Sequence, residues 1–129
     1  MTISEAARRA NVGVETIRFY EREGLVAQPR KPSHGYRQYG PEHVERIRFL
    51  KQCQSFGFSL TEAGKIAKML DKGEVSCEAT CNVAAMRLAE LRLKIAEYQE
   101  LAGKLETLLN APCRNQKTDR CAVVEALTN

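Results

Sequence analysis

The stretch SEAARRANVGVETIRFYEREG, Ser4 to Gly24, decides the fold because it contains two short helices joined by a tight turn. Ser4, or Thr2 two residues earlier, is a suitable N-cap for the first helix. Asn11-Val12-Gly13 interrupts that helix, and a second one is expected from Val14 to Glu23, with Gly24 ending it. Two helices joined by a three-residue turn that contains glycine form the helix-turn-helix pattern.

The next segment, Ala27–Gly40, predicts a turn-rich hairpin rather than a helix. Pro29, Pro32 and Pro41 bracket it, and it also contains Gly35 and two tyrosines. Proline and glycine at this density are typical of turns. The hairpin therefore occupies the position of a wing beside the two short helices.

Two further helices are expected after the hairpin. Pro41 suits the first turn of a helix that runs to about Ser55. Its expected buried face is apolar at helical spacing and comprises Val44, Ile47, Leu50 and Cys53. Ser59 then caps a helix through about Leu70, with Glu62 placed to complete a capping box.

The most regular pattern in the sequence is an apolar seam whose members alternate in spacing by four and three residues. The seam consists of Ala84, Leu88, Leu91, Ile95, Tyr98, Ala102, Leu105 and Leu109. This is the heptad pattern of a coiled coil, and it extends back to Cys81 and Cys77. A helix over 77–110 would be about 50 Å long, too long to bury its seam on the preceding domain. A homodimeric coiled coil is favoured over packing against the two middle helices.

The charge is uneven along the chain. Of 129 residues with a net charge of +4, residues 1–60 hold ten Lys and Arg against six Asp and Glu, and residues 61–129 hold ten against ten. The positive excess therefore lies with the helix-turn-helix, as expected of a half that meets phosphate. Paired catalytic carboxylates, a nucleophile–base pattern and a glycine-rich phosphate loop are not found, so an enzyme is not expected.

The five cysteines do not follow the spacing of a disulfide-stapled secreted domain. The charged N-terminus does not resemble a signal peptide, and no apolar run is long enough for a transmembrane helix, so we expect a reduced, cytoplasmic protein without membrane contact. Cys53 is expected in the core. For Cys81, packing on the seam is favoured over ligation, and a role as an added metal ligand stays open. A disulfide between Cys113 and Cys121 and metal ligation by the pair both stay open.

The remaining thiols predict a metal site shared between subunits. If the long helix is continuous, Cys77 and Cys113 of one chain lie about 50 Å apart, whereas one metal ion holds its thiolates at about 2.3 Å. An antiparallel dimer brings Cys77 of one subunit beside Cys113 and Cys121 of the other, giving two sites per dimer. A cysteine-only site is typical of soft ions, namely Hg(II), Cd(II), Pb(II), Cu(I) and Zn(II).

Four features together resemble the MerR family of metal-responsive transcriptional regulators. They are VETIRFYEREGL (Val14–Leu25), GYRQYG (Gly35–Gly40), FGFSLTEAGKI (Phe56–Ile66), and the long helix followed by a two-cysteine loop. The resemblance covers essentially the whole chain. It implies a mainly α fold, with a winged helix-turn-helix domain followed by a long antiparallel coiled-coil dimerisation helix. The expected domains are residues 1–70 for DNA binding, 71–111 for dimerisation, and 112–129 for a metal-binding loop and short C-terminal helix.

The resemblance also implies a function. Such dimers act as activators and repressors on promoters whose two polymerase-recognition elements are too far apart, and metal binding makes them distort the DNA so that RNA polymerase can open it. In this chain the second helix of the motif and the hairpin supply the expected contacts to double-stranded DNA. The candidate residues are Glu15, Thr16, Arg18, Tyr20, Arg30, Lys31, Tyr36, Arg37 and Tyr39. Arg46 and Arg48 are expected to be ordinary surface charges.

The expected effector is Hg(II), because SFGFSLTEAGKI and the helix opening SCEA look most like mercury-responsive members, which use three cysteines. The metal ligands carried over are Cys77, Cys113 and Cys121. Cd(II), Pb(II) and Zn(II) are the alternatives, with Cu(I) behind them because copper-sensing members have Ser at the position of Cys77. A thiol redox switch and a cytosolic metal carrier are the alternatives from other functional classes.

Overall fold

The computed structural model describes residues 1–110 and 121–128, and these ranges contain six α-helices. In chain order they are α1 (Ile3–Ala10), α2 (Val14–Arg22), α3 (Pro41–Ser55), α4 (Leu60–Lys72), α5 (Cys77–Leu109) and α6 (Ala122–Thr128). The expected mainly α fold is confirmed. Contacts divide the chain into two units, Met1–Ala84 and Ala85–Asn129.

Local capping signals explain where the short helices begin and end. The Thr2 hydroxyl accepts a hydrogen bond from the Glu5 amide at 3.2 Å, so Thr2 rather than Ser4 is the N-cap of α1. Before α4, the Ser59 hydroxyl accepts a hydrogen bond from the Glu62 amide at 3.1 Å. The Glu62 carboxylate in turn accepts one from the Ser59 amide at 2.8 Å. This is the capping box that the sequence predicts.

The core of the first unit lies between α1, α2, α3 and α4. α1 packs on α2 and α3, and α3 packs on α4. The largest fully buried side chains are Ile17, Tyr20, Ile47 and Leu50. Burying each aliphatic side chain of this size stabilises the fold by about 1.5–3 kcal/mol. Cys53, 6% exposed, joins them as expected.

The segment between α2 and α3 corrects the hairpin prediction in one respect. It is not helical, as expected, but it contains no β-strand either, and within 1–110 and 121–128 no residue is in a strand. Pro29 and Pro32 lack amide donors, which hinders a strand ladder across this segment. It is held instead by the Arg37 Nε, which donates to the Pro29 carbonyl at 2.9 Å, and by the Tyr39 amide, which donates to the Met1 carbonyl at 2.7 Å.

The part of α5 that lies in the second unit carries most of the apolar seam on its surface. The seam residues Leu91 and Leu109 are 43% and 75% exposed, and the larger seam side chains between them, those of Ile95, Tyr98 and Leu105, fall within that range. α5 has no buried residue in the structure of the single chain. Among the described residues, no helix is both long and apolar enough to cross a membrane.

Candidate functional site

The exposed face of α2 is the first part of the candidate site. Glu15 and Arg18 lie on it one turn apart, and the Arg18 Nη1 donates to the Glu15 carboxylate at 2.9 Å. Both side chains are more than half exposed, so solvent screens this ion pair and it contributes little to stability. Its two members are therefore available to base edges and phosphates. Thr16 is half-buried beside them.

A cleft of about 400 Å³ lies next to this face, between the start of α1, helix α2 and the irregular segment before α3. Its lining includes the guanidinium groups of Arg18 and Arg37, one carboxylate, that of Glu21, and hydroxyl groups, among them those of Thr2, Ser4 and Tyr36. Guanidinium and hydroxyl groups are the usual protein partners of phosphate oxygens. The cleft therefore has the chemistry to hold a DNA phosphate.

Two of the tyrosines that the sequence assigned to DNA contact are core residues, and that assignment is corrected. Tyr20 is 1% exposed, and its hydroxyl donates to the Gln54 side chain. Tyr39 is 4% exposed, and its hydroxyl donates to the Glu21 carboxylate at 3.2 and 3.3 Å. Tyr20 follows Ile17 by three residues and so shares its buried helix face, a signal that the sequence already contained.

The environment of Tyr39 is apolar and negative. Burial, together with the charge and hydrogen bonding of Glu21, raises its pKa from 10.0 to about 12. The rings of Tyr39 and His43 pack in a T-shaped arrangement, with their centroids 5.3 Å apart. Tyr39 thus anchors the end of the segment that presents Tyr36 and Arg37, instead of contacting DNA itself.

The other basic residues divide into exposed and structural groups. Arg30 and Lys31 are exposed, as a DNA contact requires, and Tyr36 is 79% exposed. Arg46 forms an ion pair with Asp71, which makes it more than a free surface charge.

Arg48 and Lys51 also have structural partners, at the end of α1. The Arg48 Nη2 donates to the Arg9 carbonyl at 2.6 Å, and the Lys51 ammonium donates to the Asn11 carbonyl. Cations at a helix C-terminus satisfy its free carbonyls and complement its dipole. Part of the positive excess of residues 1–60 therefore holds the helix-turn-helix together.

Arg22 and Gln28 are not among the candidate residues expected from the sequence. Both line a second cleft together with Arg18 and Glu21. Arg22 follows Arg18 by four residues on one helix, so helical spacing was a sufficient signal for it. Gln28 lies in an irregular segment, where spacing carries no such information.

The cysteines form the second part of the candidate site. Cys77 and Cys81 are exposed on the first turns of α5, with their Sγ atoms 3.7 Å apart. The hydrogen bond and negative charge of Cys77 raise the pKa of Cys81. Cys121 is half-buried just before α6, whereas Cys113 lies outside the described residues. Among the described residues, no group of three metal-ligating side chains lies together.

Burial separates Cys53 from the other cysteines that the structure describes. Cys53 is buried in α3, and burial raises the pKa of its thiol. A protonated thiol inside the core is a poor metal ligand. Among the described cysteines, Cys77, Cys81 and Cys121 therefore remain the candidates for metal binding.

Comparison with known proteins matches two family models to the chain. "MerR HTH family regulatory protein" matches residues 1–70, and "MerR, DNA binding" matches residues 44–108. The mercuric resistance operon regulatory protein of Bacillus cereus is 31% identical over 125 residues, covering 97% of this chain and 95% of that protein.

Two solved structures are similar over nearly the whole chain. The transcription regulator PbrR691 from Ralstonia metallidurans, in complex with lead(II), has a TM-score of 0.88 at 28% identity and covers 98% of both chains. The dual-function regulator MerR from Bacillus megaterium, in complex with mercury(II), has a TM-score of 0.72 at 28% identity, covering 98% of this chain and 97% of that one.

Proposed function

This chain belongs to the MerR family of transcriptional regulators, which are not enzymes, and on that premise we propose that it is a cytoplasmic Hg(II)-responsive regulator. It binds promoter DNA as a homodimer and acts as both a repressor and an activator of transcription. When it binds metal, it distorts the DNA so that RNA polymerase can open it. The proposed domains are residues 1–70 for DNA binding, 71–111 for dimerisation and 112–129 for the metal loop.

The observation that carries the metal response is the exposed thiol of Cys77 at the start of α5. Thiolates are the ligands that soft ions such as Hg(II) prefer. Cys77 supplies one thiolate from one subunit, and Cys113 and Cys121 supply two from the other. The mercuric-resistance relative and the mercury-bound structure described above support Hg(II) as the effector.

The exposed seam of α5 supports the homodimer. Leu88, Leu91, Ile95 and Tyr98 are 48%, 43%, 54% and 70% exposed in the single chain. A heptad seam of this kind is stable when a second helix covers it. An antiparallel pairing lays the start of one α5 beside the end of its partner, which is what a metal site shared between subunits requires.

DNA binding is proposed for the exposed face of α2 and the segment before α3. Glu15, Thr16 and Arg18 meet the major groove, while Arg30, Lys31, Tyr36 and Arg37 meet the backbone. The cleft between Arg18 and Arg37 would receive one phosphate. Recognition by deformation needs few base contacts, which suits a protein that distorts its site.

Lead(II) is the second candidate effector, because the lead-bound regulator is similar over the full chain at a TM-score of 0.88. Cd(II) and Zn(II) follow, then Cu(I), which two thiolates in linear coordination would already satisfy. A redox switch formed by Cys113 and Cys121 would change DNA affinity without any metal.

The test is a titration of the reduced protein with each ion under excess competing thiol, combined with transcription from a promoter it binds. Hg(II) should be retained and should activate. Retention of Pb(II) or Cd(II) with loss of Hg(II) to the thiol would change the effector. A protein that retains no metal but alters DNA binding on oxidation would be a redox switch.

A mixing experiment tests the shared site separately. Cys77→Ser chains and Cys113→Ser/Cys121→Ser chains each lack part of every site in their homodimers. The heterodimer should regain one intact site of two, so the mixture should recover Hg(II) retention. Absence of recovery would refute a site divided between subunits.

A further inference from the structure

The first two turns of α5 hold a pair of thiols that the proposed three-cysteine site does not use in full. Cys77 and Cys81 are four residues apart, which places them on one face of the helix. Their Sγ atoms are 3.7 Å apart and both side chains are exposed. The Ser76 hydroxyl accepts a hydrogen bond from the Ala79 amide at 3.1 Å, so the helix turn that presents Cys77 is capped.

This separation is close to that of two thiolate sulfurs bound to one metal ion. In a tetrahedral thiolate site with bonds of about 2.3 Å, two sulfur atoms lie about 3.8 Å apart. The two thiols therefore need little side-chain movement to hold the same ion. A rigid, capped helix also supplies them already oriented, which lowers the entropic cost of binding.

We propose that Cys77 and Cys81 form a two-thiolate chelate for a soft divalent cation, so that the helix contributes two ligands to the metal site instead of one. On binding, both S–H bonds break, two metal–sulfur bonds form and two protons pass to the buffer. This step rests on the shared site of the proposed function. In the intact dimer the ion is then held by four thiolates in total, two from the helix and two from the partner's loop. Four thiolates suit divalent ions that favour tetrahedral sulfur coordination, such as Cd(II) and Zn(II).

The first experiment isolates the chelate from the loop. The Cys113→Ser/Cys121→Ser variant of the full chain keeps the helical pair, and Cd(II) is titrated into it under a competing monothiol. It should bind Cd(II) with thiolate charge-transfer absorption and release two protons per ion. Adding Cys81→Ser should lower the affinity at least tenfold. Equal affinity with and without Cys81 would overturn the proposal.

The second experiment counts ligands in the otherwise native protein. Cys81→Ser should remove one of four thiolates per bound Cd(II), read from charge-transfer absorption and proton release, whereas Cys53→Ala should remove none because Cys53 is buried. An unchanged count in Cys81→Ser refutes the role of Cys81. Circular dichroism verifies that each variant retains its helices. If the helical pair binds but the mixed-chain experiment fails, the shared site is wrong and the chelate stands.

Discussion

Replacing Tyr39 by phenylalanine tests how the segment that carries Tyr36 and Arg37 is anchored to α2. The Tyr39 hydroxyl shares its proton between the two carboxylate oxygens of Glu21, at 3.2 and 3.3 Å. A hydrogen bond to a charged group contributes about 1.5–3 kcal/mol. The variant should lose roughly that much unfolding free energy at neutral pH, and its DNA affinity should fall because the segment is less firmly held.

The same phenol predicts how stability changes at high pH. Its pKa is about 12 in the folded chain against 10.0 for an ordinary tyrosine. As the pH rises above about 10, the unfolded chain loses this proton first, so folding becomes less favourable until the pH passes about 12. One pKa unit corresponds to about 1.4 kcal/mol, so Tyr39 accounts for a loss of about 1.4 kcal/mol by pH 11 and about 2.7 kcal/mol in full.

The assay is urea unfolding followed by circular dichroism between neutral pH and about pH 11. Protein concentration is held fixed because the proposed association of the chains would add to apparent stability. Tyr39→Phe should lack the alkaline loss of about 1.4 kcal/mol that the phenol causes. Tyr36→Phe, at an exposed position of the same segment, should unfold as the wild type does. If Tyr39→Phe loses as much stability on raising the pH as the wild type, the buried phenol is not responsible.

Three further variants test other parts of the molecule. Ile95→Asp places a charge in the α5 seam and should give a monomer in sedimentation, whereas Glu97→Gln, outside the seam, should remain dimeric; a dimeric Ile95→Asp would contradict the seam. Arg18→Ala should weaken DNA binding and lower the slope of log affinity against log salt by about one, with Lys65→Ala as control; an unchanged slope would remove Arg18 from phosphate contact. Ser59→Ala should lower the free energy of unfolding by about 1 kcal/mol, measured by thermal unfolding, because the α4 cap is lost. Ser33→Ala is the control, and equal stability of the two variants would contradict this role of Ser59.

The helix boundaries could be predicted because each depends on a few neighbouring residues. Gly24, Gly57 and Gly73 have φ values of +72°, +84° and +67°, a region that glycine enters without strain, and each follows the last turn of a helix. The capping box of Ser59 and Glu62 is equally local. Such signals need no knowledge of the tertiary structure.

The roles of the aromatic and basic side chains depended on tertiary contacts. Tyr36 and Tyr39 have similar sequence surroundings, yet one is 79% and the other 4% exposed, because only Tyr39 reaches Glu21 on α2. Arg48 is as basic as Arg18, but its partner is the Arg9 carbonyl, 39 residues away. Spacing along the chain does not contain these pairings, so the sequence placed the buried Tyr39 among the DNA contacts and treated Arg48 as an ordinary surface charge.

Tight metal binding by the cysteines is not sufficient for regulation. On the proposed function, an ion that binds the repressing and activating arrangements equally would load the protein and leave transcription unchanged, whatever its affinity. The effector is the ion whose thiolate geometry fits one arrangement better.

A site of three thiolates and one of four favour different ions, so Cys81 bears directly on that choice. The decisive experiment measures the transcription produced per bound metal ion. It compares Hg(II), Pb(II) and Cd(II) in the wild type and in Cys81→Ser. If Cys81 is a ligand, its loss should change the order of the three ions, and an unchanged order would mean that Cys77, Cys113 and Cys121 alone determine the response.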